Sequence, residues 1–132
     1  VLLGTALALP AAAGGVVIVH PDSPLQRMTR EEIVALYMGG STCFTNGRAA
    51  LTIDLGSDSA LRARYYQALV GQSVSQVNAH WARLLFSGRA TPPRSLPDAA
   101  AVLDTVSENR DAIGYIDSAD LDRRAKVVFE LQ

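Results

Sequence analysis

Apolar and polar residues along the chain form patterns that predict strands separated by helices. Residues 16–19 are β-branched throughout, which is typical of a buried strand. Residues 51–55 alternate between apolar and polar with a period of two and predict a second strand. Apolar runs at residues 112–116 and 127–131 predict two more strands. Helical patterns lie between these segments, so we expect the strands to form one sheet.

Two helices are predicted around the second strand. Thr29 and Glu32 form a capping box, and Gly39 begins a glycine pair that ends the helix after it. Residues 59–70 carry apolar side chains at helical spacing, and Gly71 is placed to act as the left-handed cap of that helix. Both helices are therefore expected to begin and end on local signals.

Two further helices are predicted in the second half of the chain. Ser73 and Gln76 form another capping box, and the apolar stripe that includes Trp81 and Leu85 predicts a side packed on the core. Residues 88–97 contain three prolines and are expected to form an exposed connection. A fourth helix is expected directly after them.

This order of elements predicts an α/β fold with a mostly parallel sheet flanked by helices. The length of 132 residues corresponds to a single domain. Gly114 lies inside the third predicted strand, where a missing side chain indicates that another backbone or a ligand comes close.

Charge and cysteine content exclude several classes of protein. Twelve basic and thirteen acidic residues give a net charge of -1, which argues against a nucleic-acid partner. The single Cys43 excludes an internal disulfide, and no spacing of Cys and His typical of a metal site occurs, so no metal or cofactor is expected. His20 and His80 show no spacing typical of a catalytic pair, and we expect no enzymatic activity.

The first thirteen residues, VLLGTALALPAAA, form an uncharged segment that ends in small residues. This pattern is typical of the later part of a secretory signal peptide and predicts a periplasmic or secreted protein. Residues 14–132 would then be the folded domain. A transmembrane helix over residues 1–19 is the alternative, and Pro10, Gly14 and Gly15 disfavour it.

Four spaced pieces of sequence carry a family resemblance. They lie at residues 28–44, 55–69, 81–88 and 111–116, and the last piece, DAIGYI, is similar to a strand written GAIGY in the family. In this order they resemble the second half of the phosphate-binding proteins of ABC transporters, which are type 2 periplasmic binding proteins. The resemblance implies a single lobe of that fold, exported from the cytoplasm, with an ABC permease as its partner.

The resemblance also implies a small oxyanion such as phosphate as the ligand. The family holds its anion between two lobes, and the segment that gives the first phosphate-contacting loop has no counterpart in this sequence. Where the central anion loop of the family has Arg and then Ser-Gly-Thr, this chain has Leu55 and then Ser59-Ala60-Leu61. Only Ser59 is retained there.

Residues 57–62 are the candidate ligand site on physical grounds as well. Ser57, Asp58 and Ser59 lead into a helix, so free backbone N–H groups, hydroxyls and Arg62 can together bind an oxyanion. The alternative is that one of these residues only caps the helix and that Arg62 is a solvated side chain. The Asp58 carboxylate would itself repel a dianion.

Two other positions are candidates for the same site. Ser41 and Thr42 form a second hydroxyl-bearing loop that either faces the same cleft or serves only as a loop. Tyr115 either lines the mouth of the cleft or packs in the core with its hydroxyl at the rim.

Two functions from different classes remain. One is an exported solute-binding protein that binds a small oxyanion without chemistry. The alternative is a single-lobe protein–protein interaction module, or a homodimer that has lost ligand binding. A large exposed apolar patch would favour the alternative.

Overall fold

The computed structural model describes residues 14–131, so the predicted signal segment at residues 1–13 lies outside the described residues. Within the described range the chain forms five strands and four α-helices. A single 3₁₀ turn, Ser118–Asp120, precedes the last strand. In chain order the elements are β1 (Gly15–Val19), α1 (Arg30–Tyr37), β2 (Leu51–Leu55), α2 (Ala60–Val70), α3 (Val74–Phe86), β3 (Arg94–Leu96), α4 (Ala99–Glu108), β4 (Ala112–Asp117) and β5 (Lys126–Glu130).

The strands form one mixed sheet in the order β3-β2-β4-β1-β5. β2 pairs in parallel with β3 and β4, whereas β1 pairs antiparallel with β4 and β5. Four strands therefore share one direction, and β1 runs the opposite way. The expected α/β fold with a mostly parallel sheet flanked by helices is confirmed. The direction of β1 could not be deduced from its residues, because a strand buried on both faces reads as an apolar run.

The short strand β3 lies in the stretch that the sequence predicted to be an exposed connection. Its residue Arg94 pairs with Ile53, and Leu96 pairs with Leu55, at the edge of the sheet. Prolines at positions 92, 93 and 97 flank β3, and an edge strand tolerates such neighbours because one of its sides makes no ladder hydrogen bonds. The stretch is largely exposed, as expected, but these three residues form an edge strand that the sequence did not predict.

The helix boundaries follow the predicted capping signals. The Thr29 hydroxyl accepts a hydrogen bond from the Glu32 amide, and the Glu32 side chain accepts one from the Thr29 amide. Ser73 and Gln76 form the same reciprocal pair at the start of α3. Gly71 ends α2 with a positive φ of 66°, the left-handed conformation in which glycine carries no steric penalty.

The apolar stripe of α3 is only partly buried. Val77 and Trp81 belong to the core, as expected, but Leu85 is 56% exposed and Phe86 is 93% exposed. The expectation that the whole stripe packs on the core was therefore wrong at Leu85. The end of α3 instead presents apolar side chains to solvent, beside the cavities described below.

Gly114 in β4 is approached by side chains. A Cβ atom at this position would lie 2.8 Å from Val102 Cγ1 in α4 and 3.4 Å from Ile53 Cβ in β2. The prediction of a close approach is correct, but its cause is neither another backbone nor a ligand. Glycine allows α4 to lie directly against the sheet.

No helix within residues 14–131 combines the length and the apolar character that a bilayer crossing requires.

Candidate functional site

A buried carboxylate lies at the centre of the candidate site. Asp54, in β2, is only 4% exposed. Its oxygens accept hydrogen bonds from the Tyr115 hydroxyl, from the Tyr66 hydroxyl at 2.7 Å and from the Leu55 amide at 2.8 Å. Arg62 Nε also donates to it, at 3.3 Å. The charge of Asp54 is thus satisfied from β2, β4 and α2, as a buried charge must be.

All four tyrosines of the chain lie together around this carboxylate. The rings of Tyr65 and Tyr115 stack with centroids 3.6 Å apart, and Tyr37 and Tyr66 pack edge-on against them. Burial raises the pKa of each of the four hydroxyls, and the negative charge of Asp54 raises the pKa of Tyr37, Tyr66 and Tyr115 further. The tyrosines therefore remain neutral at physiological pH. The hydroxyls of Tyr37, Tyr66 and Tyr115 donate hydrogen bonds, whereas the buried Tyr65 hydroxyl has no partner among the described residues.

Arg62 is buried beside this cluster, contrary to the interpretation that it is a solvated side chain. Its side chain is 7% exposed, and the guanidinium lies 5.1 Å from the centre of the Tyr66 ring. Nε donates to Asp54, and Nη2 donates to Asn78 Oδ1 at 3.0 Å. Nη1 is buried and has no hydrogen-bond partner among the described residues. Such a group is unusual, because buried donors are normally satisfied.

A cavity of about 290 Å³ lies against Arg62, between the end of β2, α3 and the segment that leads into β3. Its polar lining comes from two hydroxyl groups, one amide and the Asp54–Arg62 pair, and its apolar lining comes mainly from α3 and two prolines. The lining residues are Asp54, Leu55, Ser57, Arg62, Asn78, Trp81, Ala82, Leu85, Pro92, Pro93 and Ser95. We call this space the Arg62 cavity.

A larger cavity, of about 670 Å³, lies beside the Arg62 cavity along β2. Ser41 and Thr42 line it, together with the exposed Arg89 and Arg94. The two cavities share a mostly apolar wall, which we call the shared wall. The shared wall consists of Trp81, Leu85, Pro92 and Pro93.

The structure brings part of the predicted site together. Ser57 and Arg62 line the same cavity, and Asn78 Nδ2 donates to Ser57 Oγ at 3.4 Å. Ser59 is the N-cap of α2, where its hydroxyl accepts from the Arg62 amide at 3.1 Å. Asp58 is exposed and lines neither of the two cavities.

Two other predicted residues lie elsewhere. Ser41 and Thr42 line the larger cavity and not the Arg62 cavity. Tyr115 is 1% exposed and packs in the core, so it lines neither a mouth nor a rim. Its hydroxyl contributes to the site through Asp54.

Three functional candidates were missed from the sequence: Asp54, Asn78 and Ser95. Asp54 occupies a polar position of an alternating strand, which normally faces solvent. One signal was available, because Arg62 and Tyr66 are four residues apart and therefore lie on the same face of α2, where they can reach one acceptor. Asn78 and Ser95 depend on the packing of α3 and β3, which carries no local signal.

Within residues 14–131 no group of three or more Asp, Glu, His or Cys side chains is arranged to hold a metal ion. The Asp54–Arg62 pair and its hydroxyl and amide neighbours instead form a set of hydrogen-bonding groups. The arrangement is suited to binding a polar ligand.

Comparison with known proteins identifies the class of fold. No protein-family model matches the sequence, and no curated protein matches it at a significant level. Among solved structures, the chain is similar to an ABC-type phosphate transport receptor from Vibrio cholerae, with a TM-score of 0.70 and 17% identity over 88% of this chain. It is also similar to a putative phosphate ABC transporter substrate-binding protein with bound phosphate from Clostridium perfringens, with a TM-score of 0.71 and 17% identity over 88% of this chain. PstS from Borrelia burgdorferi gives a TM-score of 0.62 and 14% identity over 80% of this chain.

These likenesses confirm the resemblance at the level of the fold. The chain has the α/β fold of phosphate ABC transporter substrate-binding proteins, and it corresponds to part of them. It spans 45%, 44% and 42% of the length of the three similar proteins, which is less than half of each. The first two are described as a transport receptor and a substrate-binding protein, not as enzymes.

Proposed function

We propose that the protein is an exported solute-binding protein related to the phosphate-binding components of ABC transporters. It seats a small oxyanion such as phosphate in the Arg62 cavity and carries out no chemistry on it. The observation that carries this proposal is the mostly buried Arg62, which lines the cavity together with Ser57, Asn78 and Ser95. A positively charged side chain beside neutral hydrogen-bonding groups is suited to an oxyanion.

The surroundings of Arg62 support an anionic ligand. Ser57 and Ser95 place hydroxyl groups on the same cavity, and the Asn78 amide lies between Arg62 and Ser57. The cavity also lies next to the N-terminus of α2, whose helix dipole carries partial positive charge. These groups donate hydrogen bonds from several directions, which an oxyanion can accept.

Export and a membrane partner belong to the same proposal. Residues 1–13 have the composition of a signal segment, so the domain would work in the periplasm or outside the cell. One similar structure is described as an ABC-type phosphate transport receptor, which supports an ABC permease as the partner that receives the ligand.

Isothermal titration calorimetry of the chain with phosphate, sulfate and acetate tests the proposal. We expect saturable heat with at least one of these anions. Arg62→Lys keeps a positive charge beside Asp54 but replaces the guanidinium with a shorter amine. We expect this change to weaken binding at least about tenfold, since charge-assisted hydrogen bonds contribute on the order of 1.5–3 kcal/mol. Ser57→Ala should weaken binding less.

Arg64→Ala is the matched control. Arg64 lies on the same helix, is 49% exposed and faces Asp117 at 3.8 Å. Its substitution therefore removes one positive charge without changing a residue that lines the cavity. Binding should survive this change. No heat with any of these anions would overturn the proposal, and so would binding that Arg62→Lys leaves intact in a folded protein. Absence of heat together with a concentration-dependent dimer would instead support the interaction module.

A further inference from the structure

We infer that the larger cavity along β2 is a second ligand site, and that it takes an organic phosphomonoester with an apolar body. This site is separate from the Arg62 cavity that the proposed function uses, and it depends on different charged residues. Four features of the larger cavity carry the inference: its volume, its charge, the backbone that holds this charge, and its apolar lining.

The volume of the larger cavity fits an organic molecule. It measures about 670 Å³, whereas the Arg62 cavity measures about 290 Å³. Sites for organic ligands typically measure about 300–1,000 Å³. An inorganic anion would occupy a small part of the larger cavity and leave the rest to water. The ligand that fills this space therefore has a body besides its charged group.

The charged residues that line the larger cavity are arginines. Arg89 and Arg94 lie on it, and none of the described residues that line it is acidic. Within residues 14–131 neither arginine forms an ion pair with a carboxylate, unlike the arginines at positions 48, 62, 64 and 124. Both are exposed, so their long side chains can turn towards a ligand. Two unpaired guanidinium groups favour a ligand group with two negative charges and several oxygens, as in a phosphomonoester.

The adjoining Arg62 cavity does not cancel this positive charge. Its charged lining residues, Asp54 and Arg62, form an ion pair with each other at 3.3 Å. Thr52 and Asp54 lie two residues apart in β2 and thus on one face of the sheet, where Asp54 lines the Arg62 cavity and Thr52 lines the larger one. Three arginines and one aspartate line the two cavities together, so positive charge is in excess.

The backbone that carries the two arginines is held at both ends. The Arg89 amide donates to the Leu84 carbonyl at 3.0 Å, just after the end of α3. Arg94 is the first residue of β3 and pairs with Ile53. Two consecutive prolines lie between the arginines and fix φ at their positions. The positions of both cations along the cavity are therefore set before a ligand arrives, which lowers the entropic cost of binding.

The apolar lining of the larger cavity favours an apolar body. The shared wall belongs to it, and Leu85 in this wall is 56% exposed. Leu51 and Ala90 also line the cavity and are half-buried. An apolar body would cover this surface, and burial of apolar surface is a main source of affinity in sites for small molecules. A hydroxylated body would instead lose hydrogen bonds to water there.

Isothermal titration calorimetry with three compounds tests the inference at about pH 8, where a phosphomonoester is a dianion because its second pKa is about 6. Phenyl phosphate combines this dianion with an apolar ring. Phenylacetate keeps the ring and carries one charge, and glycerol phosphate keeps the dianion on a hydroxylated body. We expect phenyl phosphate to bind at least about tenfold more tightly than either of the other two.

Substitution of the two arginines tests where phenyl phosphate binds. Arg89→Gln and Arg94→Gln together should weaken its binding at least about tenfold. Arg83→Gln is the matched control, because Arg83 is exposed on α3 and lines neither cavity. This change also removes a positive charge, and binding should remain within about twofold because water and salt screen a charge outside the site. All three arginines are exposed, so circular dichroism should stay native.

Two adjacent residues test the apolar lining. Leu85→Ser removes an exposed apolar side chain from the shared wall and should weaken phenyl phosphate severalfold. Phe86→Ser is the control, because Phe86 is 93% exposed and lines neither cavity. Its affinity for phenyl phosphate should equal that of the unchanged protein. Leu85→Ser without effect would overturn the assignment of an apolar body.

Variants of the Arg62 cavity separate this inference from the proposed function. Ser57 and Arg62 line that cavity and not the larger one, so Ser57→Ala and Arg62→Lys should leave phenyl phosphate binding intact. Phenyl phosphate that responds to these variants and not to the double arginine variant would place the ligand in the Arg62 cavity. That result would overturn the inference and leave the proposed function in place.

The remaining outcomes are equally distinct. The inference would be overturned by the absence of heat with phenyl phosphate, by equal affinity for phenylacetate or glycerol phosphate, or by an Arg83→Gln variant that binds as weakly as the double variant. Phenyl phosphate that binds through Arg89 and Arg94, with no small oxyanion binding through Arg62, would overturn the proposed function alone.

Discussion

Arg62 Nε lies 3.3 Å from Asp54 Oδ2, and both side chains are more than nine-tenths buried. Two opposite charges removed from water in this way depend on each other, because the loss of one leaves the other uncompensated. The pair also joins α2 to β2, so it holds the helix that provides the candidate site against the sheet. Stability and ligand binding therefore share the same contact.

Asp54→Asn is expected to lower the free energy of unfolding by about 3 kcal/mol, since it leaves Arg62 buried without its counter-charge. Urea denaturation followed by circular dichroism measures this loss. The surface pair of Arg48 and Asp111, whose side chains are 64% and 29% exposed, provides the comparison. Asp111→Asn should lower the free energy of unfolding much less, because water and salt screen an exposed ion pair. An equal loss of the free energy of unfolding in the two variants would show that the buried pair stabilises the protein no more than the exposed pair.

The four tyrosines provide a test that depends on pH. A tyrosine in the unfolded chain has a pKa of about 10. Folding raises the pKa of all four hydroxyls above this value. Above about pH 10 the unfolded chain loses protons that the folded chain keeps. The contribution of the tyrosines to the free energy of unfolding is therefore fully present below that pH and falls as the pH rises.

Ultraviolet difference spectroscopy at increasing pH measures the tyrosinate signal directly. We expect little tyrosinate while the far-ultraviolet circular dichroism is native, and a cooperative rise when the protein unfolds. Gradual ionisation of one or more tyrosines near about pH 10 in the folded protein would contradict the buried cluster.

Trp81 is the single tryptophan of the chain and lines both cavities. Its indole Nε1 donates to the Tyr37 carbonyl at 3.1 Å, so the ring is held in place. We expect the anion that binds in calorimetry to change the intensity or wavelength of tryptophan emission, with the same half-saturation as the calorimetric titration. The change should shift to higher ligand concentration in Arg62→Lys. Saturating binding heat without any change in emission would place the ligand away from the shared wall.

Gly114→Ala tests how closely α4 lies against the sheet. The added methyl group would meet Val102 Cγ1 at 2.8 Å, and overpacking of this kind typically costs about 1–3 kcal/mol. Gly40→Ala is the control, since its nearest contacts of 3.6 Å are ordinary and its φ is not positive. Thermal denaturation should therefore show a lower melting temperature for Gly114→Ala than for Gly40→Ala. Similar melting temperatures would mean that α4 can move away at little cost.

Local signals explain why most of the fold was predictable from the sequence. The capping boxes at Thr29 and Ser73 and the glycine at position 71 act within a few residues, so their effect does not depend on the rest of the chain. β3 is different, because residues 94–96 are extended through pairing with β2 and not through their own pattern. Long-range pairing of this kind carries no periodic signal.

The site was predictable only where its chemistry is local. Ser57 and Arg62 could be selected because a hydroxyl-bearing loop leads into a helix. Asp54 could not, because its burial depends on α2 lying over β2. The exposure of Leu85 was missed for the same reason, since the apolar pattern of a helix does not show which of its residues pack against the rest of the protein.

The antiparallel strand β1 has a consequence for how the chain folds. Gly15 lies opposite Asp117, and Val16 lies opposite Glu130, so β1 is held between two strands that come much later in the sequence. During translation β1 has no partners until β4 and β5 have left the ribosome, and its apolar residues remain unpaired during that time. We therefore expect nascent chains that lack β4 and β5 to be sensitive to proteases.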